Sequence, residues 1–149
     1  MIIAPIIIKT QKDIIQLLKD SGLQQGEGAE YSSSNTYFWN IAVKGTEASK
    51  ASKYLVWNIV SAEPSMHADN VVLARQSLVE ILLYSRTPIH NKEVSEIITS
   101  INNTMINNLW TFEMVSPPAY DVDNQMYIYS FDATHEYYDW DSGTRWVSS

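Results

Sequence analysis

No cysteine occurs among the 149 residues of the chain. That absence excludes a cysteine nucleophile, a thiolate-ligated zinc, an iron–sulfur cluster and a disulfide scaffold. Basic residues are few and scattered, ten Lys and Arg against 17 Asp and Glu, for a formal charge of −7. Holding nucleic acid through its phosphates needs clustered cations, so a free-standing DNA-binding domain is not expected. Long apolar runs are also missing. The opening Met1 to Ile8 is apolar, but Lys9 closes it, no basic leader precedes it, and it is too short to span a bilayer. A soluble, unexported chain is expected. The G-x-S-x-G elbow, the P-loop and the G-x-G-x-x-G fingerprint do not occur either.

What is present is the material of one folded domain. Hydrophobic residues make up 45% and charged residues 18%, enough to close a core without cross-links. The aromatics (nine Tyr, five Trp and three Phe) gather in strand-like segments and near the C-terminus. In the strands, β propensity accounts for them. Near the C-terminus, protein–protein contact is the favoured reading, because Tyr and Trp supply large contact areas.

Thr10 to Asp20 reads as a short helix, with Thr10 as N-cap, Ile14, Leu17 and Leu18 as its stripe, and Gly22 as its stop. Thr36–Val43 and Tyr54–Val60 read as strands of one long hairpin whose tip, Lys44 to Lys53, is small and polar. A strand from about Gln76 to Arg86 is apolar on both faces, which predicts a central position. Asn91 caps a helix running to Leu109, with Val94, Ile97, Ile98, Ile101, Met105 and Leu109 on one face. Trp110–Val115 and Met126–Ala133 then form an antiparallel pair. The expected fold is α/β of the α+β type: a mainly antiparallel sheet of four or more strands, packed by an amphipathic helix and a short N-terminal helix. Residues 1–133 form the domain and 134–149 an aromatic, acidic tail. Over 120–149, six acids stand against Arg145, a net −5.

Chemistry-bearing patterns are sparse. His67, His90 and His135 fall in no metal-ligand spacing, and no catalytic residue, cofactor or metal is expected. An enzyme would need His67, His90 and an acid to converge in one pocket. Asp121-Val122-Asp123-Asn124 opens like a calcium loop, but Met126 stands where the sharp turn needs glycine, so the segment reads as an Asx turn.

Particular residues then carry a family resemblance. Tyr84-Ser85-Arg86 ends the central strand and the helix ends in Trp110. Phe112 follows, and Tyr120-Asp121-Val122-Asp123 leads into Met126-Tyr127-Ile128-Tyr129-Ser130-Phe131. Over roughly residues 54–133 this resembles the tail-terminator (tail-completion) proteins of long-tailed bacteriophages. The resemblance implies a homo-hexameric ring that caps the tail tube, stops its polymerisation and joins tail to head. Its partners would be further copies of itself, the tail tube protein and a head-connector or head-closure protein. DNA would pass without specific binding, and no membrane would be involved. The protein would sit at the virion neck, after assembly in the host cytoplasm. Tyr137, Tyr138, Trp140 and Trp146 are the expected inter-subunit contacts, with the alternative that this segment folds back on its own sheet. A head-closure adaptor or an acidic protein-binding module is the second reading.

Overall fold

The computed structural model describes residues 4–27, 32, 34–41, 52–69 and 71–138. Helix α1 spans Ala4–Asp20, so it starts six residues before the expected N-cap. Pro5 is tolerated there because the first helical turn needs no internal N–H donor. Ile6, Thr10, Ile14, Leu17 and Leu18 form its buried face. Thr10 is therefore a core residue. Its hydroxyl donates to the Ile6 carbonyl (2.7 Å) and shares a hydrogen bond with the Ser77 hydroxyl (2.7 Å). The expected stop holds: Gly22 sits at φ 93°. The Leu23 N–H bonds to the Leu18 carbonyl (3.1 Å) and the Gly22 N–H to that of Lys19 (3.0 Å), a Schellman closure.

The strands are β1 (Gln24–Gln25), β2 (Tyr37–Asn40), β3 (Lys53–Ala68), β4 (Val71–Ser85), β5 (Thr111–Met114), β6 (Ala119–Asp121) and β7 (Met126–Tyr138). They build one seven-stranded sheet in the order β1-β2-β3-β4-β7-β5, and β6 also pairs with β7. This is the expected α+β architecture with a mostly antiparallel sheet. The long hairpin is corrected. β2 and β3 are parallel, Tyr37 opposite Tyr54 through Asn40 opposite Trp57. The antiparallel partner of β3 is β4, in a ladder from Lys53 opposite Ser85 to Ala68 opposite Val71. The twelve residues 41–52 between β2 and β3 are long enough for the crossover that a parallel pair needs, and β3 makes its tight hairpin with β4 instead. Most of the expected hairpin tip, residues 44–51, lies outside the described residues. β4 starts at Val71 rather than Gln76, and its place between β3 and β7 is the predicted central one.

Helix α2 spans Lys92–Asn107, and the Asn91 side-chain oxygen accepts the Glu93 N–H at 3.0 Å, the expected cap. Val94, Ile101 and Met105 are buried, and Ile97 and Ile98 pack partly against the core. Leu109 departs from the predicted stripe. It lies beyond the helix at φ 66° and is 83% exposed. The Trp110 N–H bonds to the Met105 carbonyl (2.9 Å) and the Leu109 N–H to that of Ile106 (3.1 Å). This repeats the closure of α1 with leucine in glycine's place. A left-handed Leu costs about 1–2 kcal/mol, and this side chain loses little contact when removed. Leu109→Gly is expected to raise stability by about 1 kcal/mol in urea unfolding.

β7 continues past the expected end at Ala133 to Tyr138, pairing along β4 from Ser85 opposite Tyr127 to Ala74 opposite Tyr138. Residues 134–138 thus belong to the sheet, so the domain does not end at 133. Tyr137 is corrected as an inter-subunit contact: it is 1% exposed, and its hydroxyl donates to the Asp13 carboxylate at 2.7 Å. Alternating residues of a strand face opposite sides, and Tyr137 shares the helix-covered side with Phe131 and Ala133. Tyr138 is half-buried against the core. Trp140 and Trp146 lie outside the described residues.

Candidate assembly surfaces

α1 and α2 cover one face of the sheet, and among the described residues no helix lies on the other. A register line crosses that open face: Tyr37, Tyr54, Tyr84 and Ile128 stand opposite one another on β2, β3, β4 and β7. Tyr54 and Tyr84 stack with ring centroids 4.7 Å apart, and Trp39 meets Tyr54 edge-on at 6.3 Å. Burial is the main cause that pushes both Tyr54 and Tyr84 hydroxyls above their ordinary pKa, so these rings stay neutral. Gly26 lies directly under the Trp39 indole, leaving no room for a Cβ. Gly26→Ala is expected to displace Trp39, at a cost of about 2–3 kcal/mol with a red-shifted tryptophan emission.

Two positions further along the open face the chemistry reverses. Glu113, Asp132, Glu80 and Asn58 occupy one line across β5, β7, β4 and β3. Three carboxylates set directly opposite one another repel, costing roughly 0.2–1 kcal/mol per pair. The open face is thus aromatic at one end and acidic across its middle.

A second surface lies at the outer edge of β3. Ile41, at φ 73° and 70% exposed, donates its N–H to the Trp57 carbonyl (2.9 Å) and ends the pairing of β2. A β-branched residue at positive φ is strained. Beyond Trp57, the outer edge of β3 meets no strand among the described residues. Beside it runs a groove of about 350 Å³ between Ile7 and Gln11 of α1, Ile41, and residues 57–62 of β3. Arg75 reaches across from β4 to donate to the Ala62 carbonyl. It is 2% exposed, its Nε has no hydrogen-bond partner, and burial lowers its pKa.

The residues singled out in the sequence are distributed differently. The Asp121 carboxylate accepts from the N–H groups of Asp123 (3.1 Å) and Asn124 (3.3 Å) and from the Asn124 amide (2.7 Å). These bonds, the amide's first, lower its pKa and close the expected Asx turn. His67 pairs opposite Val72 at one end of β4, whereas His90 follows Ser85 at the other, so the two do not converge. His135 is held in β7, stacked on Trp110 at 5.0 Å with its Nδ1 3.0 Å from the Leu109 carbonyl. Among the described residues no group of acids and histidines is placed to hold a metal ion. No helix among them is long and apolar enough to cross a membrane. The aromatic line, the acidic line and Arg75 were missed from sequence. Each depends on strand register, which periodicity within one strand does not encode.

No protein-family model matches the chain, and no curated protein sequence matches it.

Proposed function

We propose that the protein is a structural virion subunit, a tail terminator that forms a hexameric ring on the tail tube and joins it to the head. The observation that carries this reading is where the resemblance residues fall. Tyr84 stands opposite Ile128, Tyr120 opposite Tyr127, and Phe112 stacks on Phe131 at 4.4 Å. Segments scattered over residues 84–131 thus form one strip of β4, β5, β6 and β7. Among the described residues no helix covers the second face and no strand pairs with β3 beyond Trp57, and such surfaces support an assembling subunit. The line Glu113, Asp132 and Glu80 suits a surface beside a DNA conduit, since it repels passing phosphates. The partners are further copies of this chain, the tail tube protein and a head-connector or head-closure protein. The role needs no catalytic residue, metal or cofactor. The acidic line also favours the second reading, an acidic protein-binding module.

Native mass spectrometry, on the chain alone and mixed with tail tube protein, tests the proposal. A closed hexamer is expected in at least one condition. A strict monomer that never binds tube protein would overturn it.

A further inference from the structure

We infer that the outer side of α2, in its C-terminal half, is a self-association surface. Two copies of this chain pair there about a two-fold axis, Ile106 and Leu109 of one against the same residues of the other. The inference goes beyond the ring reading and does not depend on it. Three observations carry it. No charged side chain occurs from Ile97 to Phe112, the longest such stretch in the chain. Asn103 and Asn107 are exposed there, although Asn is a poor helix former and Lys, Glu or Gln would serve a merely solvated face better. Among these neutral residues stand two large aliphatic ones, Ile106 at 55% exposure and Leu109 at 83%. Leu109 is also strained, at φ 66°, and its backbone is pinned on both sides. Its N–H bonds to the Ile106 carbonyl (3.1 Å), and its own carbonyl lies 3.0 Å from His135 Nδ1. Glycine would relieve that strain. Leucine instead places a large apolar side chain in a fixed, exposed position, which is the preorganisation that binding rewards.

The distribution of charge selects a second copy as the occupant. The chain carries −7 overall, so copies repel wherever their carboxylates meet. The sheet face away from the helices presents Glu80, Asp132 and Glu113 in one line, and the first turns of α2 present Glu93 and Glu96. The stretch 97–112 has no charge to repel its own copy and none to attract a charged partner. Interface centres are depleted of charge in the same way. An asparagine amide both donates and accepts, so Asn103 and Asn107 are complementary to themselves. A two-fold axis is the arrangement that sets a patch against its own counterpart. With the two helices crossing near Ile106, Glu96 and Glu93 lie roughly 15–20 Å away along each helix. That exceeds the Debye length of about 8 Å at physiological salt, so they are screened from the contact. A single helix crossing is a small interface, and the pairing is weak and concentration-dependent.

The test is a charge swap on full-length chains. One variant carries Ile106→Lys and Leu109→Lys, the other Ile106→Glu and Leu109→Glu. Both positions are exposed, so neither variant should shift the melting temperature by more than about 2 °C. In sedimentation at rising protein concentration, the wild type is expected to pair. Each variant alone is expected to pair roughly tenfold more weakly or worse, because like charges then face each other across the axis. The equimolar mixture is expected to recover pairing, since Lys meets Glu only where the patch contacts its own counterpart. Leu109→Gly is expected to weaken pairing while raising the melting temperature of the dilute protein, a combination that a merely structural leucine would not give. Where the chain closes a ring, the same contact joins two rings, and the variants leave single ones. A wild type that never pairs, variants that pair as the wild type does, or a mixture no more associated than its components would each overturn the inference. Variants that pair normally but lose tail tube protein would overturn it too, and would give the face to that partner. None of these outcomes touches the hexamer, which is read from the number of subunits in the ring.

Discussion

Replacing Tyr137 with alanine is expected to lower the unfolding free energy by about 4 kcal/mol, the range for large aromatic side chains removed from a core. The ring is almost fully buried, meets Trp110 edge-on at 6.3 Å and His135 at 4.8 Å, and donates its hydroxyl to Asp13 at 2.7 Å. Alanine would leave a cavity between β7 and α1 and withdraw a donor from a carboxylate. Tyr137→Phe removes only the hydrogen bond and is expected to cost about 1–2 kcal/mol. Truncation after Ala133 should be at least as damaging as the alanine variant, because it also strips five residues of ladder from β4. Urea unfolding of the three forms gives the order. A wild-type midpoint for the alanine variant would remove Tyr137 from the core. The same residue has a pH signature. Burial first, and the Asp13 carboxylate second, push its hydroxyl far above the ordinary tyrosine value. Below pH ~10 both folded and unfolded states keep the proton, and the contribution is constant. Above it the unfolded state loses the proton first, so stability falls as pH rises. Tyr137→Phe is expected to flatten that alkaline slope.

Ile101→Asp is expected to cost about 4–5 kcal/mol, as a carboxylate placed without a partner in apolar surroundings does. Ile101 is buried on the face of α2 turned toward the sheet, in the same cluster as Met105, Leu83 and Tyr129. For a domain of this size the melting temperature should fall by roughly 10–20 °C. Asn102→Asp, one residue along the same helix and only half-buried, is the control and should shift it by a degree or two. Equal effects at the two positions would mean that α2 does not pack through the Ile101 face.

The elements legible in the sequence are those whose deciding interactions lie within a few residues. Asn91 caps α2 through the N–H two residues on, Gly22 and Leu23 close α1 on the carbonyls of Lys19 and Leu18, and Asp121 is held by Asp123 and Asn124. The stripe Val94, Ile101 and Met105 follows from helical period alone. The fold class follows from these pieces and from the two-faced β4. What only the tertiary structure decided depends on partners far apart in the chain. Thr10 is a core residue because Ser77, 67 positions away, meets its hydroxyl, which no local capping pattern anticipates. β2 lies parallel to β3 although the two are neighbours in sequence, which the pattern of either strand alone does not encode. β7 runs to Tyr138 because β4 is long enough to pair with it and Asp13 waits under its last turn of side chains. The candidate surfaces belong to this second class. The lines Tyr37–Tyr54–Tyr84 and Glu113–Asp132–Glu80, the outer edge of β3 beyond Trp57 and the reach of Arg75 to the Ala62 carbonyl arise from strand register and order. A strand's period of two says which residues share a face, and only its neighbours decide which of them meet.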